Sequence, residues 1–151
     1  MDPTMVYFLR EAGLSDAQIL QGLQKDGGLK GISGVSGDLR YVVEAAQAGN
    51  QRAKLAVDVF VTGIVHYIGA FFLDLGKLDY LVFTAGIGEH SSHIRRLVCE
   101  KLKAIGVVLD PQKNEACHGE AVISAEDFPV QVLVIPANEE PGVALRTYEF
   151  Q

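Results

Sequence analysis

The chain has 151 residues, 48% of them hydrophobic and 21% charged, which suits one folded domain with a real core and excludes a disordered segment. Lys and Arg number 13 against 19 Asp and Glu, a formal net charge of −6, and no basic run occurs; this excludes non-specific nucleic-acid binding, which needs cations to displace counterions, but not a small anionic ligand. Cys99 and Cys117 stand far apart without CxxC spacing, as reduced cytosolic thiols do, and no basic region leads into an apolar run at the start, so a cytoplasmic protein without a secretory signal is expected.

In chain order, Thr4 to Ala12 reads as a helix with Met5, Phe8 and Leu9 on one face. Ser15 caps a second helix from Asp16 to Leu23. Four glycines between Gly27 and Gly34 then predict a glycine-rich turn region reaching Gly37. A helix from Asp38 to about Ala48 ends at Gly49, a suitable C′ position. Gln51 to Leu75 is the longest helical stretch. Its run Val59 to Leu73 is shorter than a membrane span, holds His66 and is bracketed by Asp58 and Asp74, so it reads as a buried helix. The same logic makes His66 a core histidine, and the helix a candidate for dimerisation.

Beyond Leu75 the pattern changes. Tyr80 to Thr84 is an unbroken apolar run, as in a strand buried on both faces, and Ala85-Gly86-Ile87-Gly88 follows as a tight turn. Ser91 or Ser92 caps a helix whose stripe is Ile94, Leu97, Val98, Leu102 and Ile105, and Gly106 stops it. Short strands are predicted at Val107 to Leu109 and Ala121 to Ser124, and a second buried strand at Gln131 to Ile135. Pro136 ends that strand, and Asn138 caps a final helix. The layout predicts an α/β domain with a partly parallel sheet.

Three segments are placed where chemistry could occur. Thr84 to Ser91 puts glycines between a strand and a helix, where open α/β sheets bind ligands, although it is neither GxGxxG nor a Walker loop; a structural turn explains it equally. Ile135-Pro136-Ala137-Asn138-Glu139-Glu140 puts carboxylates at a helix start, able to ligate Mg²⁺ or merely to cap. Gly31 to Arg40 exposes backbone and offers Asp38 and Arg40 to a ribose or base; taken by itself, Asp38 is a cap and Arg40 a solvated side chain. His90 and His93 lack a third ligand at metal spacing, His118 sits in a polar loop, Glu126 and Asp127 look solvated, and no nucleophile elbow is present.

Together these segments resemble the acetate kinase family. The residues that carry the resemblance are Asp2-Pro3-Thr4, Gly31-Ile32-Ser33-Gly34-Val35-Ser36 leading to Asp38-Leu39-Arg40, Leu81 to Glu89, and Val134-Ile135-Pro136 leading to Asn138-Glu139-Glu140. They follow the family's order across almost the whole chain. The resemblance implies an actin-like ATPase, ribonuclease-H-like α/β fold with a mixed sheet flanked by helices. It implies a cytoplasmic homodimer that uses ATP and Mg²⁺ to phosphorylate acetate, or propionate, to an acyl phosphate.

By position, Asp38, Leu39 and Arg40 match the family's adenosine-contacting segment. Gly86, Ile87, Gly88, Glu89 and His90 match its second nucleotide segment, and Glu139 matches its magnesium-associated glutamate. His90 replaces the usual Asn, and Pro141 also departs from the common pattern. The family's substrate arginines, catalytic aspartate and transition-state histidines lie upstream of the matched region, so no catalytic residue is assigned here. Residues 1–151 are therefore expected to be one domain, the carboxy-terminal half of such an enzyme without its amino-terminal half, inactive alone. The alternative is a non-catalytic nucleotide-binding or dimerisation module; a dinucleotide oxidoreductase is disfavoured for want of GxGxxG. Neither nucleic acid nor membrane is an expected partner. The kinase reading requires the loops around Arg40, Gly88 and Glu139 to share one rim of a sheet.

Overall fold

The computed structural model describes residue 2 and residues 4–149; Pro3 of the Asp2-Pro3-Thr4 motif lies outside them. Its contacts divide the chain into two compact units, Met1–Thr62 and Gly63–Gln151.

The first unit is helical. Asp2 accepts hydrogen bonds from the Thr4 amide and hydroxyl just before α1 (Met5–Glu11). Ser15 begins α2 (Asp16–Gln21) through a capping box: its hydroxyl accepts from the Gln18 amide, and the Gln18 side chain accepts from the Ser15 amide. The helix does not stop at Leu23 but continues as a π-helical turn, Gly22–Asp26.

The predicted glycine turn is largely a helix, α3 (Gly28–Ser33). Its cause is distant in sequence. Arg52 donates from Nη2 to Gly31 O at 2.8 Å and from Nε to Ile32 O at 2.9 Å, satisfying carbonyls that a helix C-terminus leaves open. Gly34 then closes the helix at φ +69°, where a Cβ would stand 3.1 Å from Arg52 Nη1, so only glycine suits the position.

Asp38 caps α4 (Leu39–Gln47), which buries Leu39, Val42 and Ala46 and ends before Gly49 at φ +99°, as the sequence predicts. The first half of α5 (Gln51–Leu75) buries Ala53, Ala56, Val57 and Val61 along one stripe. The second half overturns the expectation of a buried helix. Tyr67 is 71% exposed and Leu73 79%, Phe71 and Leu75 are exposed too, and so is His66, which is therefore no core histidine. An all-round apolar helix needs cover on several sides, and the described residues supply it only for the first half. The whole 25-residue helix is long and apolar enough to cross a membrane by length and composition.

The second unit holds a three-stranded mixed sheet of order β1-β3-β2. β1 (Tyr80–Phe83) runs parallel to β3 (Gln131–Val134), with Tyr80 opposite Gln131 and Phe83 opposite Val134; β2 (Ala121–Val122) is antiparallel to β3. Between β1 and β3 come α6 (Ala85–His90), α7 (Ser92–Lys101) and α8 (Pro111–Glu115). Ser91 caps α7, whose Ile94, Val98 and Cys99, with Leu102 beyond its end, are buried. Val107, Ile123, Val130, Val132 and Val134 are buried in the same unit. Removing one such side chain from water stabilises by roughly 1.5–3 kcal/mol.

Several local expectations need correction. β1 is not buried on both faces, since Tyr80 and Val82 are exposed, and it ends at Phe83. Ala85 to Gly88 is no tight turn but the start of α6. Val107 to Leu109 forms only an isolated bridge, Leu109 to Ser124, because Pro111 begins a helix two residues later. That helix was not predicted, although Asp110 and Pro111 are good N-cap and N1 residues. Asn138 does not cap the last helix. α9 runs Glu140–Glu149, and it is the Glu139 carbonyl that accepts from the Val143 amide.

Gly106 and Gly63 make a contrasting pair. Gly106 adopts φ +88°, and a Cβ there would lie 2.7 Å from Pro129 Cγ, whereas Gly63 sits within α5 with open space around it. Gly106→Ala should destabilise by about 1–3 kcal/mol, and Gly63→Ala should be neutral or stabilise by up to about 1 kcal/mol, both read from urea unfolding.

Candidate functional site

Because β1 and β3 are parallel neighbours, their carboxyl ends point the same way, and the segments that leave them start side by side. The ladder runs one step past the strands: the Ile135 amide donates to Phe83 O at 2.9 Å. Beyond it, Glu89 on α6 accepts from the Ala137 amide through Oε1, at 2.8 Å. One carboxylate thus ties the glycine segment after β1 to the acidic segment after β3.

The glycine segment is held from below. Ala85 leaves β1 at φ +58°, a left-handed conformation unusual for a residue with a Cβ. Gly88 then passes so close to the strand end that an added Cβ would lie 3.3 Å from the Phe83 carbonyl carbon. Arg95, only 2% exposed, is the largest fully buried side chain among the described residues. Its guanidinium donates from Nη1 to Gly88 O (3.0 Å) and Glu89 O (2.7 Å), from Nε to Asn114 Oδ1 (2.7 Å) and from Nη2 to Asn114 O (2.9 Å). Asn114, also buried, donates from Nδ2 to Ser92 O at 2.9 Å. All four acceptors of Arg95 are neutral, so its planar fork serves as a rigid multi-point donor that fixes the end of α6 against α8.

The result is a ledge, not a pocket. Gly86, Ile87, His90, Asn138 and Glu139 are exposed, while Gly88 and Glu89 are half-buried. A cleft of about 150 Å³ opens elsewhere, lined by α7 and α8 residues such as Arg96, Cys99 and Glu115, and includes none of the candidate residues. Burial pushes the Cys99 thiol up to about 12, so it is inert at neutral pH. His93 is held below the ordinary histidine range by partial burial and by the Arg96 guanidinium. Among the described residues no group of three or more His, Cys, Asp or Glu could hold a metal ion.

Two of the three predicted segments are therefore brought together: Gly86 to His90, and the stretch that ends at Glu139. The third, Asp38-Leu39-Arg40, belongs to the first compact unit, in which no strand occurs among the described residues, so the expected sharing of one sheet rim is seen for the loops around Gly88 and Glu139 and not for the loop around Arg40. There Asp38 accepts from the Arg40 amide at 2.9 Å and from Arg40 Nε at 3.1 Å, which leaves the Arg40 side chain anchored yet 85% exposed. The Leu39 side chain faces the core. Bonds from Arg40 hold the Asp38 carboxyl down at about 2. Arg95 and Asn114 were not singled out from the sequence. The only available signal was an arginine beside the apolar stripe of α7, between Ile94 and Val98.

Arg95→Ala should cost about 3 kcal/mol in urea unfolding, by leaving buried oxygens without donors, and Arg95→Lys should recover only a minor part of it. Since folding depresses the Asp38 pKa, its stabilising contribution should be complete above about pH 4 and fade as pH falls through about 2. A carbon-13 titration of the carboxyl resonance should accordingly find the Asp38 midpoint near 2; a midpoint near the ordinary 3.8 would contradict the bonded geometry.

A sequence profile of the Acetokinase family matches residues 1–145. Acetate kinase of Dictyoglomus thermophilum is 48% identical over 148 residues, which are 97% of this chain and 37% of that protein. The crystal structure of Porphyromonas gingivalis acetate kinase superimposes with a TM-score of 0.86 at 40% identity, covering 99% of this chain and 38% of that one. A propionate kinase structure from Francisella tularensis gives 0.82 at 35% identity, over 93% and 36% respectively. The chain thus spans little more than a third of the length of these relatives. Its fold is the α/β, actin-like fold of acetate and propionate kinases, with a small mixed sheet flanked by helices. By profile, sequence and fold together, the chain belongs to the acetokinase family.

Proposed function

We propose that this chain is the carboxy-terminal, nucleotide-binding part of a cytoplasmic, homodimeric kinase that phosphorylates acetate or propionate with ATP, and that it has no turnover by itself. The observation that carries the reading is the Glu89 bond to the Ala137 amide across two parallel strand ends, in a chain whose relatives are acetate and propionate kinases. A ledge of exposed backbone suits a nucleotide, because glycines let phosphate or sugar approach the chain closely.

In this reading Gly86, Ile87, Gly88 and His90 border the nucleotide, Glu89 holds their segment in place, and Glu139 takes the cation. Asp38 and Arg40 are the proposed adenosine contacts of the first unit. Arg40 presents a planar guanidinium fixed by Asp38, whereas the buried Leu39 contributes through its backbone. Glu139 fits Mg²⁺ by its chemistry: it is an exposed oxygen donor, and Mg²⁺ is commonly held by one or two carboxylates with phosphate and water completing its shell. When bound, Mg²⁺ would neutralise charge on the phosphate oxygens. The described residues provide binding and orientation. The groups that would activate the carboxylate are assigned to the part of the family fold beyond this chain.

Calorimetric titration should find ATP binding that strengthens about tenfold with Mg²⁺, equivalent to ~1.4 kcal/mol, and Glu139→Gln should remove that gain while the fold is retained. A hydroxamate assay for acyl phosphate should find no turnover by the chain alone. Turnover comparable to a whole kinase would overturn the partial-enzyme reading. Folded chain with no Mg²⁺-dependent ATP binding would favour a purely structural module.

A further inference from the structure

The segment that delivers Asp38 and Arg40 has almost no packing of its own. Gly31 to Asp38 holds three glycines, and between Ser33 and Leu39 no residue is buried. Backbone with so little side chain has many conformations open to it, so bonds must select one. Traced back from Arg40, those bonds form a relay. The Asp38 carboxylate grips the Arg40 guanidinium, accepting from Nε at 3.1 Å. The Asp38 amide donates to the Ser36 hydroxyl, and the Val35 amide to the buried Ser33 hydroxyl, both at 3.0 Å. Gly34 turns the chain at φ +69°, and its amide donates to Lys30 O at 2.8 Å. Each of these bonds is local. The distant tie is Arg52, twenty positions beyond Ile32 in the first turn of α5, whose Nη2 and Nε hold Gly31 O and Ile32 O. That turn is itself anchored, since the amide of the buried Ala53 donates to Asn50 Oδ1 at 3.0 Å.

We infer that Arg52 is a positioning residue for nucleotide binding: by clamping the carbonyls of Gly31 and Ile32 it fixes where the relay starts, and hence where Arg40 presents its guanidinium to adenosine. The inference rests on the proposed reading of Asp38 and Arg40 as adenosine contacts. A planar guanidinium suits the task, because two donors in one rigid fork fix an angle as well as a distance, which a lysine ammonium does not. Gly34 belongs to the same device. Without a Cβ it leaves the Arg52 fork room to lie against the helix end, where an added Cβ would stand 3.1 Å from Nη1. Arg52 need not touch the nucleotide; it acts through Arg40.

Calorimetric titration of the chain in Mg²⁺ tests this with two probes, ATP and inorganic tripolyphosphate, which carries phosphates without adenosine. Arg52→Met should weaken ATP about tenfold and tripolyphosphate by less than about twofold, and Arg40→Ala should do the same. Arg52→Lys, which keeps the charge but not the fork, should fall between Arg52→Met and the unsubstituted chain. Because Arg52 works through Arg40, the double variant should bind ATP within about twofold of Arg40→Ala alone, whereas independent effects would multiply to about 100-fold. Should Arg52→Met not fold, Arg52→Lys and its double variant carry the same comparison. Unchanged ATP affinity in the Arg52 variants would overturn the inference, as would an equal loss for tripolyphosphate or losses that multiply. The two claims fail differently. Arg40→Ala that leaves ATP binding intact sinks the adenosine reading, and with it the role given to Arg52. Arg40→Ala that weakens ATP while the Arg52 variants bind at full strength sinks the role of Arg52 alone.

Discussion

The parallel pairing of β1 with β3 is the constraint from which the candidate site follows. Parallel strands cannot be joined by a short hairpin, so a long crossover must carry the chain back, and here α6, α7 and α8 lie within it. The same pairing puts two chain exits, after Phe83 and after Val134, at one end of the sheet. With antiparallel strands the glycine segment and the acidic segment would leave at opposite ends, and Glu89 could not reach the Ala137 amide. Everything proposed for the ledge depends on that geometry.

The ledge is made rigid by polar groups that do not face a ligand. Arg95 reaches the carbonyls of Gly88 and Glu89 from the protein side, and Asn114 links it to α8 and to Ser92. A buried guanidinium is costly to desolvate, and four well-directed acceptors offset that cost. The carbonyls so engaged are turned into the protein, which leaves the opposite side of the segment open to solvent. In the first unit Arg52 does a related job, closing the carbonyl end of α3. In both places a long cationic side chain organises glycine-containing backbone that has little packing of its own.

Much of this was legible from the sequence where one local rule decided the outcome. The Ser15 cap, the stop at Gly49, the buried Ile94, Val98 and Leu102 of the α7 stripe, and the positions of β1 and β3 all follow from side-chain periodicity or glycine chemistry, whereas α7 itself ends at Lys101 and Gly106 closes the 3-10 turn Lys103–Ile105 that follows. Failures occurred where a distant partner decided. Gly28 to Ser33 looks like a turn until Arg52 is added, and α6 looks like one until Arg95 and the Phe83 contact at Gly88 are added. Burial was overestimated for the second half of α5 and for β1, because apolar composition reports what a segment would cover in its full surroundings. Of the site, the segments and their order could be read in advance. The bond that joins them, and the buried pair beneath, could not.

The central claim is that the exits of β1 and β3 together border a nucleotide and its cation. It is tested most directly by replacing Mg²⁺ with paramagnetic Mn²⁺ in the presence of ATP and following the backbone amide resonances of the intact chain. The account predicts that resonances of Gly86 to His90 and of Ala137 to Glu139 broaden first and together, at Mn²⁺ levels well below those that affect the rest of the second unit. Broadening confined to other carboxylates, such as Glu126 and Asp127, or to only one of the two segments, would contradict it.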